Sequence, residues 1–292
     1  AAPNGRVWSL TGAALAAVVL ALALPGLAHA RPDASSVART ISVGADGATL
    51  TLRCPRGAVA MAGAVVAVSP EVTARSSAPI SVTEWSFRFA GGPGNARAVV
   101  RCVRVPPTRS MRTTSIRVAG RTFEGTVPAT GSIRATLRCP GGFSPTGYGF
   151  EQAGSGTAIV TAARPGTGAW AFVLENEGSS DTRPTIHIRC LARAARASGP
   201  GGSARHPLVV HVGAWNDRVA GGRRRQFTHG CPAGYFSAGA GHSLPTADDI
   251  VATREFPFRR RPGRWTFVNP GGGAENARTF LTCLSLRTTF ER

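Results

Sequence analysis

One sequence block occurs three times in this 292-residue chain, and it constrains the fold more than any other feature. The block opens with Cys-Pro-x-Gly, passes through Trp-x-Phe and closes on a second cysteine. The copies run over residues 54–102, 139–190 and 231–283, and together they contain all six cysteines. A fixed internal period indicates repeated structural units. The sequence therefore predicts three small modules in tandem.

Each copy is expected to be closed by its own disulfide bond. Six cysteines allow many pairings, but the repeat favours one first-to-last bridge per copy: Cys54–Cys102, Cys139–Cys190 and Cys231–Cys283. Closing a loop of ~50 residues contributes about 4 kcal/mol in the chain-entropy model, which matters because domains of this size have small cores. No Cys-x-x-Cys occurs, so disulfides are favoured over a metal site on these cysteines.

Within each copy the residue pattern is that of β-strands. Residues 98–105 and 185–191 alternate between two classes of side chain, which is the period of a half-buried strand. Trp-x-Phe places both aromatic rings on one strand face, which must point into a core. We expect an all-β protein of three tandem, disulfide-closed, antiparallel β-sandwich-like modules. A single threefold β-prism, in which each repeat supplies a face, is the alternative, and the long leader before each block favours independent sandwiches.

The N-terminus predicts export. Residues 1–30 carry one charge, Arg6, and end on Ala28-His29-Ala30. Their apolar run of roughly 15 residues is typical of a secretory signal peptide, whereas a spanning helix needs roughly 20. We assign 1–30 to a signal peptide, 31–106 to module 1, 107–197 to module 2 and 198–292 to module 3. Residues 106–110 and 197–203 are interpreted as linkers, the second flexible by composition. We expect a secreted, extracellular protein without a membrane span after signal removal.

The set Cys-Pro-x-Gly, glycine, Arg-Pro, Trp, Asn and terminal Cys resembles repeats in secreted actinobacterial proteins, most of which are uncharacterised. In those relatives a Gly-Gly-Gly run typically follows the first cysteine. Here the run is reduced to Gly63, to Gly147-Tyr148-Gly149 and to Gly239-Ala240-Gly241. The resemblance covers nearly all of residues 37–288. It implies export and a β fold, and it implies no activity and no functional residues.

Familiar catalytic patterns are not found in the sequence. Residues 154–156, Gly-Ser-Gly, lack the spacing of a serine nucleophile motif, and the copies share no acidic pair of the glycosidase kind. Three histidines of module 3, His206, His229 and His242, could form a metal site or an acid–base pair with an aspartate of the same module: Asp217, Asp248 or Asp249. Their spacing predicts no convergence, so we expect no catalytic residue, no cofactor, no metal and no enzymatic activity.

Arginine is the remaining candidate for a functional role. The chain has 34 basic residues, none of them lysine, against 15 acidic ones, for a formal net charge of +19. Two clusters stand near aromatic residues in module 3: Arg223, Arg224 and Arg225, and Arg259, Arg260, Arg261 and Arg264. Basic residues interleaved with aromatic ones suit a phosphate backbone or an acidic glycan. A solvated surface, enriched in arginine by a high-GC genome, is the alternative.

Two functions follow from these observations. The leading hypothesis is a secreted non-enzymatic repeat protein with a binding or structural role at the cell envelope or outside the cell. The other is a polyanion binder that uses the arginine clusters of module 3 to hold extracellular DNA or an anionic cell-wall polymer. The repeated Arg75, Arg164 and Arg254 could instead pack over the tryptophan of their own module as a structural cation–π contact.

Overall fold

The computed structural model describes residues 33–69, 71–105, 113–153, 158–200, 202–244, 251–255, 263–286 and 289–290. These residues form strands, turns and irregular segments, with no helix among them. The predicted all-β class is therefore confirmed. The predicted signal peptide and the linker at 106–110 lie outside the described residues.

Module 1 is a sandwich of two three-stranded layers. Its strands are β1 (Asp33–Val43), β2 (Ala48–Arg53), β3 (Val59–Val68), β4 (Val72–Pro79), β5 (Glu84–Gly91) and β6 (Gly94–Arg104). One layer has the order β1-β6-β3 and the other β2-β5-β4, and all neighbours are antiparallel. Along β2, Leu50 and Leu52 are buried whereas Thr49, Thr51 and Arg53 are exposed, because successive side chains point to opposite faces.

Modules 2 and 3 repeat this arrangement strand for strand. After β7 (Thr113–Ser115), module 2 contains β8 (Val118–Glu124), β9 (Ser132–Arg138), β10 (Phe143–Ala153), β11 (Ala158–Pro165), β12 (Ala169–Asn176) and β13 (Arg183–Ala192). After β14 (Ala194–Gly199), module 3 contains β15 (Gly202–Val219), β16 (Arg223–His229), β17 (Phe236–Ser243), β18 (Val251–Glu255), β19 (Gly263–Asn269) and β20 (Glu275–Leu286), followed by β21 (Thr289–Phe290). The layers are β8-β13-β10 with β9-β12-β11, and β15-β20-β17 with β16-β19-β18.

Each disulfide joins the two layers of its own module. The structure contains the three predicted bridges, Cys54–Cys102, Cys139–Cys190 and Cys231–Cys283. The first cysteine follows the second strand of its module, and the second cysteine lies in the sixth strand. Each bridge belongs to the same core as the Trp-x-Phe pair of its module. The predicted inward face is confirmed, because these six aromatic side chains are at most 1% exposed: Trp85, Phe87, Trp170, Phe172, Trp265 and Phe267.

The modules share sheets, so they are not the independent sandwiches that the leaders favoured. β4 of module 1 pairs with β10 of module 2, and β11 of module 2 pairs with β17 of module 3. At the third junction β18 of module 3 lies beside β3 of module 1. At every junction the fourth strand of one module meets the third strand of the next. The three sandwiches therefore form a closed ring with pseudo-threefold symmetry.

The third strands β3, β10 and β17 lie against one another at the centre of the ring. Each carries a β-bulge at the same place, and the bulge residues Met61, Thr146 and Ala238 are fully buried. One further apolar cluster draws on all three modules and includes Val59 and Met61, Leu191, and Phe236 and Leu284. The molecule therefore has a shared central core in addition to the three module cores.

Two of the repeated glycines permit this close approach. Gly147 and Gly239 directly follow the bulge residue of β10 and β17. A Cβ atom on Gly147 would collide with the carbonyl oxygen of Met61 in module 1, and one on Gly239 would collide with the carbonyl oxygen of Thr146 in module 2. Glycine is required at both positions because the obstacle is the backbone of the neighbouring module.

Most of the segment 197–203, which we expected to be a flexible linker, forms a hairpin instead. β14 pairs with the first part of β15, from Ala194 opposite Pro207 to Gly199 opposite Gly202. β7 pairs with β14, and β21 pairs with β15, so four strand segments cover this end of the molecule. Glycine-rich composition misleads here because it suits a tight turn as well as a linker, and Gly202 has a φ of 105°.

Candidate functional site

Strand β16 displays three consecutive arginines on the surface of module 3. Arg223, Arg224 and Arg225 are all exposed, and none of their side chains makes a hydrogen bond or ion pair within the described part of the chain. Since side chains alternate along a strand, Arg223 and Arg225 point to one side of the layer and Arg224 to the other. The first predicted arginine cluster is therefore exposed as a group.

Other exposed arginines are neutralised by carboxylates. In module 1, Arg53 Nε lies 2.9 Å from Glu84 Oε1, and Arg88 Nη2 lies 3.3 Å from Glu151 Oε2 of module 2. The positive charge of β16 has no such compensation among the described residues. Of the second predicted cluster, Arg264 is exposed on β19, opposite Thr228 of β16. The remaining members lie outside the described residues, together with the neighbouring aromatics: Arg259, Arg260, Arg261, Phe256 and Phe258.

β16 ends on an imidazole that is oriented by a buried carboxylate. His229 Nε2 lies 3.0 Å from each Oδ of Asp217, and Thr279 Oγ1 donates a hydrogen bond of 2.7 Å to Asp217 Oδ2. Asp217 is only 5% exposed, so these two neighbours, rather than water, supply its hydrogen bonds. The residues come from β15, β16 and β20, which is why their spacing in the sequence did not predict the contact.

A tryptophan stacks on the same imidazole. The rings of Trp215 and His229 are nearly parallel, at 4°, with centroids 4.4 Å apart. Further along the same face of β15, His211 meets Tyr235 edge-on with centroids 6.1 Å apart. We call the following five residues the module 3 cluster: His211, Trp215, Asp217, His229 and Tyr235.

The polar and aromatic residues of this cluster distinguish module 3 from module 1. In the strand register, His229 occupies the position of the first cysteine of the other modules, opposite the residue two before the tryptophan. Asp217 and Trp215 stand where module 1 has Ile41 and Arg39. A comparison of the copies for residues that differ would have found this site, whereas the residues shared by the copies do not include it.

The remaining histidines do not join this cluster. His242 Nε2 donates a hydrogen bond of 2.9 Å to the carbonyl oxygen of Val160 in module 2. His206 on β15 is 1% exposed, and burial lowers its pKa below the ordinary 6.5. Asp248 and Asp249 lie outside the described residues. Among the residues that are described, no three or more His, Cys, Asp or Glu side chains are grouped so as to hold a metal ion.

The repeated arginines do not pack over the tryptophan of their own module. Arg75 Nη1 donates a hydrogen bond of 3.3 Å to Gln152 of module 2, and Arg164 Nη2 donates one of 2.8 Å to Ser243 of module 3. Both side chains therefore bridge to the next module of the ring. The side chain of Arg254 lies outside the described part of the structure. The expected cation–π role is wrong for the two arginines whose side chains are described.

Two other arginines, both buried, connect the modules at the centre. The guanidinium of Arg189 in module 2 lies 5.9 Å from the ring centroid of Trp85 and donates a hydrogen bond to the carbonyl oxygen of Ser81 in module 1. Its burial lowers its pKa to about 10. Arg101 of module 1 donates from Nε to the carbonyl oxygen of Ser237 in module 3 at 2.8 Å. These contacts are structural and leave β16 as the candidate binding surface.

Comparison with known proteins adds no assignment, because no family model and no curated protein matches the chain. Over the described residues, no helix has the length and apolar character needed to cross a membrane. The three disulfides indicate an oxidising, extracellular or secreted environment.

Proposed function

We propose that this chain is a secreted, non-enzymatic binding protein that holds a polyanion through module 3. The observation that carries the proposal is the run of three exposed arginines on β16 without a carboxylate partner among the described residues. Guanidinium groups bind phosphate and carboxylate bidentately, and a strand presents them at regular spacing. Extracellular DNA and anionic cell-wall polymers both carry the required charge.

The rest of the molecule supports a binding role rather than a catalytic one. The acidic group nearest to the tip of β16, Asp217, is occupied by His229 and Thr279. The disulfides and the shared core hold the strand in a rigid frame, which favours an extended, preformed contact surface. A role at the cell envelope or outside the cell fits this design, because the predicted signal peptide directs the chain there.

The test is retention of the whole secreted protein on immobilised heparin in a salt gradient. Changing Arg223, Arg224 and Arg225 to Ser should lower the salt concentration at which the protein elutes. With fewer arginines in contact with the polyanion, binding releases fewer counterions and is therefore weaker. The matched control changes three exposed arginines of module 2 that also lack a partner among the described residues: Arg121, Arg134 and Arg138.

Both variants lose the same formal charge. The comparison therefore distinguishes binding at a local site on β16 from an effect of the overall net charge. We expect the β16 variant to elute well before the control. Equal losses of retention in the two variants would show that overall charge alone holds the protein on the column, and they would contradict the proposal.

A further inference from the structure

We infer that the module 3 cluster and two arginines of β16 form one site for an acidic saccharide, a chain of sugar rings that carries carboxylate groups. The arginines are Arg223 and Arg225. The inference rests on the proposed function and narrows its ligand, because it adds a second set of contacts to the charged one.

The charged and aromatic groups lie on one face of β16. Arg223, Arg225, Phe227 and His229 alternate along the strand, and Phe227 lies directly opposite the buried Trp265. At about 3.3 Å per residue, Arg225 stands about 13 Å from His229 along the strand, and Arg223 about 20 Å. Phe227 packs against the module core, so the accessible groups are the two arginines at one end and the aromatic cluster at the other. The two ends are separated by the packed Phe227, and the distance between them, about 13–20 Å, corresponds to several sugar rings.

The aromatic end offers an apolar ring together with free polar atoms. Trp215 is partly exposed beside His229. Asp217 fixes Nε2 of His229, whereas Nδ1 makes no hydrogen bond with any described residue. His211 is exposed and Tyr235 is partly exposed. Imidazole and phenol groups exchange hydrogen bonds with hydroxyls, and the apolar face of a sugar can pack on an indole ring. An acidic sugar combines carboxylates for the arginines, hydroxyls for the imidazole and phenol groups, and an apolar face for the indole ring.

A nucleic acid matches the same surface less well. Single strands are held by aromatic faces on which successive bases stack. Here one face of Trp215 is already covered by His229, and His211 meets Tyr235 edge-on. A hydroxyl-rich ring needs only partial contact with an aromatic side chain. The carboxylate of Asp217 is only 5% exposed and is hydrogen-bonded to His229 and Thr279, so it is not presented to the ligand.

The cluster is also distinct from the scaffold. Residues needed for folding recur in the three copies, as the cysteines and the Trp-x-Phe pairs do. Asp217 and His229 instead replace an isoleucine and a cysteine of module 1, whereas the position of Trp215 is aromatic in module 2 as well, where it is Phe123. A polar group that is found in one copy of a repeated fold is better explained by a ligand than by the fold.

The experiment is a fluorescence titration of the whole protein with oligomers of galacturonic acid. Methyl-esterified oligomers, which lack the charge, and oligothymidylate serve as the comparison ligands. Trp85, Trp170 and Trp265 are fully buried, and Trp265 contacts His229, so the Trp215→Phe variant identifies the part of the emission change that comes from Trp215. We expect a saturable change with the acidic oligomer that is lost in Trp215→Phe, and at least about tenfold weaker binding of the methyl ester.

Three surface variants test the geometry without disturbing the core. The double change of Arg223 and Arg225 to Ser should weaken binding of the acidic oligomer by about tenfold or more. Arg134→Ser, which removes an exposed arginine of module 2, should change it by less than about twofold. His211→Ala removes an exposed ring and should also weaken binding. Thermal unfolding of each variant should stay at the wild-type temperature.

The outcomes separate this inference from the function on which it rests. If heparin retention depends on the β16 arginines but the oligomer gives no Trp215-dependent signal, the polyanion function stands and the saccharide site is wrong. If oligothymidylate binds more tightly than the oligomer and its signal is lost in Trp215→Phe, the ligand is a nucleic acid and the saccharide site is again wrong. If the β16 arginines have no effect on heparin retention, both are wrong.

Discussion

Single residues at the centre of the ring decide whether the modules can meet. We predict that Gly239→Ala lowers the free energy of unfolding by about 1–3 kcal/mol, because the new methyl group would collide with the backbone oxygen of Thr146 and neither strand can move freely in a packed core. The matched control is Gly168→Ala, where an added Cβ has no neighbour within 4 Å. Urea unfolding of both variants measures the effect, and equal stabilities would contradict the close packing of β10 and β17.

His206 gives the fold a dependence on pH at the scale of one side chain. Both ring nitrogens are buried without a hydrogen bond among the described residues, and burial lowers the pKa of the group below 6.5. The unfolded chain therefore takes up the proton more readily, so stability is lost as the pH falls through about 6.5. At higher pH the ring is neutral in both states and contributes no pH dependence.

We therefore predict that His206→Leu flattens the pH dependence of stability. Between about pH 7.5 and about pH 5 the free energy of unfolding should fall less for the variant than for the wild type. All other residues are the same in both proteins, so the difference between the two curves isolates His206. Parallel curves from urea unfolding would contradict a buried, unprotonated ring.

At the scale of strands, a row of polar contacts joins modules 1 and 2. Arg88 of β5 contacts Ser76 of β4 at 3.4 Å and Glu151 of β10 at 3.3 Å, and Glu151 also contacts His187 of β13 at 2.8 Å. The carboxylate of Glu151 thus connects side chains on both sides of the junction. The backbone ladder at this junction is short, with only Phe150 and Glu151 registered against β4, so the side chains carry part of the contact.

We predict that Glu151→Gln raises amide hydrogen exchange in β4 and β10. The group is partly exposed, so the loss of stability should be about 0.5–1 kcal/mol, and the local opening is the more sensitive readout. Glu84→Gln is the matched control, because it breaks the ion pair with Arg53 inside module 1. Unchanged exchange in β4 and β10 would show that the carboxylate does not hold the junction.

The strands could be predicted from the sequence, but the equivalent positions of the three copies could be predicted only in part. Alternation and the Trp-x-Phe pairs identified inward faces correctly, since burial of both rings on one face is a local property of the sequence. The sequence suggested Arg75 and Arg164 as one repeated position because each shortly precedes a proline, and the register shows that the two positions differ. Arg75 and Thr161 are the bulge residues of β4 and β11. Thr161 is therefore the counterpart of Arg75, and Arg164 lies three residues further along β11.

At the scale of the whole molecule, the shared core makes the ring one folding unit. We predict that residues 198–292 expressed alone do not give the cooperative unfolding transition of the whole chain, because Leu191 and Met61 are missing from the core that Phe236 and Leu284 help to form. Urea unfolding followed by near-ultraviolet and far-ultraviolet circular dichroism measures this. A sharp transition of the isolated module at the wild-type midpoint would contradict a shared core.

The ring itself was not predictable from the repeat. The cysteines and the period indicated three modules and their bridges, because both are local to each copy. Two of the junctions are two-residue ladders, such as Ala162 and Ala163 against β17, and such short contacts leave no periodic pattern. The Asp217–His229 pair was missed for the same reason, since it depends on which edge strands approach each other.

The most direct test of a polyanion surface on β16 is the salt dependence of binding. The affinity of the whole protein for heparin should be measured at several salt concentrations, for the wild type and for the variant with Arg223, Arg224 and Arg225 changed to Ser. Each lost ion pair lowers the slope of log K against log salt by about 0.7–0.9, so we expect the variant's slope to be smaller by about two to three. An identical slope would show that these arginines do not contact the polyanion.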